Sequence, residues 1–142
     1  MEIELVIFFL DGERYAFNID SVMEVVEIQS IMPVPETPDY IMGVVNLRGE
    51  ILTVLDTKLR LGLRKSVINE QKRLMIIQTK EYRVGIIVDG LPVVVRLDED
   101  RIKSESSAIN PAIDAKFIKG EIEDEFLIVL DEESLILGDE ET

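Results

Sequence analysis

Short apolar runs, separated by turn residues, recur along the chain and predict a protein built mainly of β-strands. Three pairs of such runs predict hairpins, at residues 5–10 with 14–19, at 74–79 with 83–88, and within 120–130 around Glu123-Asp124. The first pair flanks Asp11-Gly12, and Asp-Gly between two β-prone runs is the strongest short-range hairpin signal. Residues 93–97 add a further strand, and the polar residues 98–110 that follow are typical of a loop.

The chain is organised around residues 43–56, where two apolar runs flank Asn46-Leu47-Arg48-Gly49. This pattern predicts two strands joined by a tight turn. After the turn, apolar side chains from Ile51 to Leu55 occupy both faces, which is typical of a strand buried on both sides in a small barrel packed against a second layer. The Arg48 guanidinium cannot be neutralised, so it is either a solvated strand-end charge or a fixed charge at the rim of a contact surface.

Four short helical segments are predicted from capping residues, because Asp, Ser and Thr side chains accept hydrogen bonds from the first turn of a helix. They are residues 22–26 capped by Asp20-Ser21, one turn opened by Thr37-Pro38 before Gly43, residues 57–61 capped by Asp56 and closed by Gly62, and a last helix containing residues 135–137, capped by Asp131 and ended by Gly138.

The strand pattern occurs twice, at an offset of about 70 residues. The corresponding passages are 8–20 with 77–89, 48–51 with 119–122, and 53–56 with 128–131, which pairs Gly49 with Gly120. Short hairpins resemble one another in any case, but these passages also keep the same order. We therefore predict an all-β fold with a few short helices, in which two similar small barrels share a hydrophobic core within a single domain over residues 1–142.

Charge narrows the possible partners. The 142 residues carry a net charge of −14, which argues against direct binding to nucleic acid or to an anionic membrane. Residues 58–73 carry six basic side chains against Glu70, and we expect this run to be a solvated loop. The first four residues are acidic where a secretory signal would be basic, and no apolar run is long enough to span a membrane, so we expect a soluble, intracellular protein.

The residue inventory favours binding over catalysis. The sequence contains no histidine and no cysteine, which excludes a phospho-accepting histidine, a Ser-His-Asp relay and thiol chemistry. A zinc site would need carboxylates alone, and no Gly-rich phosphate loop occurs. The acidic clusters at residues 98–100 and 121–125 lie at predicted turns, where solvation explains them. We therefore expect no cofactor and no metal.

The sequence resembles the CheW family of bacterial chemotaxis adaptors over nearly its whole length. The matching residues are 33–35, 43–49, Ile51, Val54, Asp56, Leu61-Gly62 and 85–89. The resemblance implies two five-stranded, SH3-like barrels packed on one another and a stand-alone, cytoplasmic adaptor without catalytic activity. It also implies that this adaptor couples chemoreceptors to the histidine kinase CheA, whose regulatory domain is a similar module, and is recruited to membrane-associated receptor arrays through its partners.

The resemblance also implies where a receptor binds. A groove between the barrels would be lined by Val6, Ile19, Val22, Val25 and Leu91, and the helical tip of a chemoreceptor would lay its apolar stripe into it. Each of these residues taken alone is better explained by burial in the core. Val22 and Val25, three positions apart on the predicted helix, are the best candidates for surface anchors.

Glu24 and Arg48 match a charged pair on the family's partner-binding surface, although a structural role for the pair is equally compatible with the sequence. The family motif is completed by Asn46, Leu47, Gly49 and Asp56. The kinase domain would pack against the end of one barrel. Two alternatives stay open: a regulatory module of a chemosensory pathway other than motility, and a regulatory domain that binds a small ligand.

Overall fold

Nine β-strands and two short α-helices account for most of the chain that the computed structural model describes, residues 1–104 and 109–137. The strands are β1 (Glu2–Leu10), β2 (Glu13–Asn18), β3 (Val22–Glu27), β4 (Ile41–Leu47), β5 (Glu50–Leu55), β6 (Lys72–Gln78), β7 (Arg83–Asp98), β8 (Ile118–Ile122) and β9 (Leu127–Leu130). The helices are α1 (Thr57–Arg60) and α2 (Glu132–Leu137). The helix end expected at Gly138 and residues 105–108 of the expected loop lie outside the described residues.

Two hairpins close through two-residue turns in which both residues have positive φ. Asp11 and Gly12 have φ of 52° and 82° between β1 and β2, and Arg48 and Gly49 have φ of 51° and 87° between β4 and β5. Turns of this kind match the right-handed twist of the flanking strands, and Asp and Gly tolerate positive φ. The hairpins predicted at both places are confirmed.

β7 is one strand of 16 residues, not the two separate strands expected at 83–88 and 93–97. Its first half pairs with β5 and β6, and its second half pairs with β1. Asp89 lies at the junction, because it pairs with both Lys72 of β6 and Phe9 of β1. Gly90 follows with φ of 68°, and the register between β1 and β7 shifts here. A single strand therefore runs from one half of the molecule into the other.

The strands form two barrels that share β7. We call β3, β4, β5, β6 and the first half of β7 the mid-chain barrel, and β1, β2, β8, β9 and the second half of β7 the terminal barrel. Each barrel is closed by an isolated β-bridge. In the mid-chain barrel it joins Met32, after β3, to Val44 of β4, and in the terminal barrel it joins Lys103, after β7, to Glu121 of β8. The predicted pair of similar barrels is confirmed.

Three apolar clusters fill the fold, one inside each barrel and one between them. Leu5 and Ile7 of β1 lie inside the terminal barrel, whereas Val6, Phe8 and Leu10 lie in the shared core between the barrels. β6 alternates in the same way between the mid-chain interior and the shared core. Because neighbouring side chains of a strand point to opposite faces, a strand between two cores is apolar at consecutive positions.

Residues 22–26 belong to strand β3, so the helix predicted there is wrong. A 3₁₀ turn at Ile19–Ser21 precedes the strand, and its N-cap is Asn18, whose side chain accepts from the backbone N–H of Asp20. The capping signal thus supports only one turn. The β-branched residues that follow favour an extended backbone, and pairing with β6 satisfies its hydrogen bonds.

Two further predictions fail in detail. The segment opened by Thr37-Pro38 is a turn rather than a helix, in which the N–H of Ile41 donates to the Pro38 carbonyl at 3.0 Å. Ile51 is 61% exposed, so two-sided burial of β5 begins only at Leu52. Because β5 pairs with β7 only from Thr53 onward, Ile51 lies at the projecting end of the hairpin.

The tertiary structure also changes the alignment of the repeat. Gly120 lies within β8 rather than in a turn, and its equivalent is Gly43 of β4, not Gly49. Gly43 and Gly120 both follow a register shift and both face the bridge between the edges of their barrel. A Cβ atom at Gly43 would lie 2.2 Å from the Met32 carbonyl oxygen, and one at Gly120 would lie 2.8 Å from that of Lys103.

Candidate partner-binding site

The Asn46-Leu47-Arg48-Gly49 motif builds a turn that presents Arg48 to solvent. The Asn46 Oδ1 atom accepts from the backbone N–H of Gly49 at 2.9 Å, and Leu47 is buried in the mid-chain core. Asp56, the last motif residue, is buried and caps α1; its carboxylate also accepts two hydrogen bonds from Ser66. Four motif residues thus have direct structural roles, and Arg48 is the one whose side chain is mostly exposed.

Arg48 and Glu24 form an ion pair between the β4–β5 turn and β3. The Arg48 Nη2 atom lies 2.5 Å from Glu24 Oε2, and the two side chains are 66% and 34% exposed. A pair this exposed contributes about 0–1 kcal/mol to stability. The pair fixes one end of the Arg48 guanidinium and leaves its other N–H groups able to reach a carboxylate or carbonyl on a partner.

Four of the five residues assigned to the receptor groove meet at the shared core. Val6 is buried in it, and Ile19, Val22 and Val25 are half-buried against it. Val22 and Val25 share a face, although three positions apart on a strand, because the register shift at the start of β3 inserts one extra residue between them. Leu91 is apart from this group: it is 69% exposed, in the part of β7 between its two stretches of pairing with β1.

Val93 and Val94, which the sequence analysis did not single out, are 48% and 53% exposed. Val94 pairs directly with Val6, so its side chain is on the shared-core face of the sheet. Val93 pairs with Ile7, whose side chain lies inside the terminal barrel, so Val93 is on the opposite face of β7. Leu91, Val93 and Val94 thus make this part of β7 an exposed apolar segment, in which Val94 is on the shared-core face. An apolar strand gives no signal in the sequence that one of its ends is uncovered, because exposure depends on which strands pack over it.

The basic run is a solvated loop only in its later part: most of residues 62–71 are exposed, but the two basic residues of α1 are buried. Lys58 and Arg60 of α1 are only 6% and 5% exposed. The Lys58 ammonium lies 2.8 Å from an Asp11 carboxylate oxygen, and the Arg60 Nε atom donates to the Leu135 carbonyl at 2.8 Å. The Arg60 guanidinium also lies 4.3 Å from the centre of the Tyr40 ring. These charges join the two halves of the molecule.

The Lys58 hydrogen bond lowers the pKa of the Asp11 carboxyl below its ordinary value of 3.8, and the nearby charges of Arg64 and Lys72 act in the same direction. A carboxyl whose pKa is lower in the folded than in the unfolded chain stabilises the fold above the unfolded value, and this contribution is lost as the pH falls through the folded value. Asp11 therefore stabilises the protein at neutral pH and ceases to do so in acid.

We expect Asp11→Asn to flatten the decline in the free energy of unfolding below about pH 4, measured by urea denaturation across an acid series. Asparagine tolerates the positive φ of this position, so the turn is retained. Because Asp11 is exposed, the variant and the wild-type protein should differ little in free energy of unfolding at pH 7. A decline in acid parallel to that of the wild-type protein would contradict this assignment.

A groove of about 700 Å³ lies at one end of the mid-chain barrel, between the chain that follows β3 and the residues before β6. Its apolar lining residues are Ile28, Ile31, Pro33, Met42 and Ile68. Its charged lining residues are Glu27, Glu70, Lys72 and Arg73. An apolar centre with a polar rim is the usual anatomy of a surface that docks another protein.

Within residues 1–104 and 109–137, no helix combines the length and apolar character needed to cross a membrane. The same residues hold no cluster of three or more His, Cys, Asp or Glu side chains suited to a metal ion. The double barrel, its apolar surfaces and the presented Arg48 define a protein-docking module of the all-β class.

Residues 4–140 match the CheW-like domain family, and the chain belongs to this family. It is 30% identical over 136 residues to the chemotaxis protein CheW of Treponema pallidum, covering 92% of this chain and 79% of that protein. It is 36% identical over 103 residues to the CheW of Thermotoga maritima, covering 71% and 66% of the two chains. The crystal structure of the scaffolding protein TtCheW from Thermoanaerobacter tengcongensis superposes with a TM-score of 0.82 at 34% identity, covering 95% of this chain and 88% of that one. The protein is a chemotaxis scaffold.

Proposed function

We propose that this scaffold couples the cytoplasmic tip of a chemoreceptor to the regulatory domain of the histidine kinase CheA, without catalysing a reaction. The observation that carries the proposal is the half-exposed apolar face of β3, where Val22 and Val25 lie at the edge of the shared core beside the Glu24–Arg48 pair. The absence of histidine and cysteine from the sequence supports a role in binding rather than catalysis.

The receptor tip would bind where the shared core reaches the surface. Ile19, Val22 and Val25 would contact the apolar stripe of a receptor helix, with Val6 beneath them as a buried support. The exposed apolar segment of β7, through Leu91 and Val94, would extend this contact. A helix docked in this way is anchored by a few apolar side chains, and the surrounding charges set its orientation.

The kinase regulatory domain, a similar double-barrel module, would dock at the end groove of the mid-chain barrel. Ile28, Ile31 and Met42 supply apolar area there, and the charges at the rim give the contact its orientation. Receptor and kinase would thus occupy different surfaces of one rigid body. Coupling then requires only that the scaffold bind the active and inactive receptor–kinase states with different affinity. Its place in the cell would be the cytoplasm, with recruitment to receptor arrays through these partners.

We expect Arg48→Ala to reduce the amount of kinase recruited to receptor-bearing membranes about tenfold, as for a central interface residue, in a co-sedimentation assay with purified protein. The thermal midpoint should stay within about 2 °C of the wild-type value, because the ion pair is exposed. Arg101→Ala is the matched control, since Arg101 is also an exposed arginine paired with a glutamate, but in the terminal barrel. A large fall in midpoint would assign Arg48 a structural role instead.

Omitting the protein from the same assay tests the proposed function as a whole, and unchanged kinase recruitment would refute it. Recruitment by receptors that control a process other than motility would place the protein in another chemosensory pathway. A specific small ligand found by calorimetric screening would favour the ligand-binding alternative.

A further inference from the structure

Four charged side chains form a continuous chain where the barrels meet. The Lys58 ammonium lies 2.8 Å from Asp11 Oδ2, and the Lys72 ammonium lies 2.5 Å from Asp89 Oδ1. The two pairs are linked because the backbone N–H of Asp11 donates to Asp89 Oδ2 at 2.7 Å. The two aspartates thus lie next to each other between the two lysines, and Arg64 adds a further positive charge near Asp11.

These residues come from different parts of the fold. Asp11 is in the β1–β2 turn of the terminal barrel, whereas Lys58 in α1 and Lys72 in β6 belong to the mid-chain half of the molecule. Asp89 is the residue at which β7 passes from one barrel to the other. The chain of charges therefore connects the tip of one barrel's hairpin to the other barrel at the crossing point.

Stability alone does not account for this arrangement. The Lys58 and Lys72 side chains are only 8% and 12% exposed, so both ammonium groups have lost most of their hydration. The carboxylates of the two pairs are 43% and 28% exposed. Ion pairs with a buried member are often no more stabilising than apolar residues of similar size, but in some proteins they fix one specific arrangement of the chain. Here the geometry that they restrict is the position of one barrel relative to the other.

We propose that Lys58, Asp11, Asp89 and Lys72 form an inter-barrel clamp that holds Val94, on the shared-core face of β7, in position relative to the β3 face for receptor binding. Val94 lies five positions after Asp89 on the same strand. The clamp residues are positioning residues that do not contact the receptor. This inference rests on the proposed function, because it assumes that both apolar surfaces contact one receptor helix.

The test compares the double variant Asp11→Asn/Lys58→Met with wild-type protein. Asparagine keeps the positive φ of the turn, and methionine keeps an unbranched side chain of similar length without the charge. The control is Arg101→Met/Glu125→Gln, which removes a pair at 2.6 Å whose two partners both lie in turns beside the terminal barrel. The single variant Asp11→Asn serves if the double variant does not fold.

Two binding measurements and one distance measurement separate positioning from stability. Titration calorimetry with a soluble receptor-tip fragment and with the isolated kinase regulatory domain measures the two affinities. Because the sequence has no cysteine, Lys80→Cys in one barrel and Glu123→Cys in the other accept spin labels, and double electron–electron resonance then reports the distance between the barrels.

We expect the clamp variant to bind the receptor fragment about tenfold more weakly, as when roughly a tenth of the molecules keep the competent geometry, with kinase-domain affinity within about twofold of wild type. Its distance distribution should broaden, while the control variant matches wild type in all three measurements. An unchanged distance distribution, an unchanged receptor affinity, or a parallel loss of both affinities would overturn the clamp. Wild-type protein that binds neither partner would overturn the proposed function instead, and the distance distribution would still decide whether the clamp exists.

Discussion

Replacing Gly43 by alanine is expected to lower the free energy of unfolding by about 3–4 kcal/mol, the largest loss that we predict for a single substitution. Gly43 has φ of 146°, which side-chain-bearing residues rarely adopt, and the new Cβ would lie 2.2 Å from the Met32 carbonyl oxygen. Backbone rather than a flexible side chain occupies this space, so β4 or the segment around Met32 must shift. Urea denaturation of the purified variant measures the loss.

The chain supplies two matched controls for this prediction. Gly49 also has positive φ, but a Cβ there meets nothing within 4 Å, so Gly49→Ala isolates backbone strain and should cost about 1–2 kcal/mol. Gly120 has no positive φ and its closest neighbour is an Ile102 methyl group, so Gly120→Ala should lie between the two. Equal losses for Gly43→Ala and Gly49→Ala would show that close packing at the Met32 bridge contributes nothing.

Replacing Arg60 by methionine is expected to cost about 2–3 kcal/mol, because it removes buried hydrogen bonds and two aromatic contacts together. Arg60 donates to the carbonyls of Leu135 and Ser134 in α2. Its guanidinium carbon lies 4.3 Å from the centre of the Tyr40 ring and 4.9 Å from that of Phe117. Arg60 thus connects α1, which follows β5 of the mid-chain barrel, to α2, which follows β9 of the terminal barrel.

The duplicated architecture explains the two rings. The N–H groups of Asp56 and Asp131 donate to the carbonyls of Tyr40 and Phe117 respectively, each at 2.8 Å, so these aromatic residues occupy equivalent positions in the two barrels. One arginine sits between them. We therefore expect Arg60→Met to accelerate hydrogen exchange in α2 as well as to lower stability, whereas Arg64→Met, at an exposed position of the same segment, should change stability by less than about 0.5 kcal/mol. Unchanged exchange in α2 would show that the contact does not hold the helix.

Local chemistry explains which predictions from sequence succeeded. Asp11-Gly12 forms a hairpin turn because Asp and Gly both tolerate positive φ, and Gly49 supplies the same tolerance at the second position of the Arg48-Gly49 turn. This preference acts within the turn itself. Asp56 and Asp131 cap α1 and α2 through hydrogen bonds to residues three positions further on. The duplicated pattern predicted two barrels and a shared core, because consecutive apolar positions need two buried faces.

Contacts distant in sequence explain which predictions failed. The helix expected at Val22–Val26 is a strand because β6, about 50 residues away, offers it a pairing edge. The register of the repeat was misjudged at Gly49 because the need for glycine at Gly43 and Gly120 comes from the facing segments, not from a turn. Among the candidate site residues, Glu24 and Arg48 form a pair, but Leu91 does not join the other four at the shared core.

The sequence by itself determined the Gly-containing hairpin turns, the caps of α1 and α2, and the alternation that gives two barrels with a common core. Those properties depend on backbone preferences and residue types within a few positions of each other. Only the tertiary structure decided that Lys58 and Arg60 are buried as inter-barrel contacts while Val93 and Val94 remain exposed. Burial is a property of what packs above a side chain, and that depends on strands brought together from opposite ends of the chain.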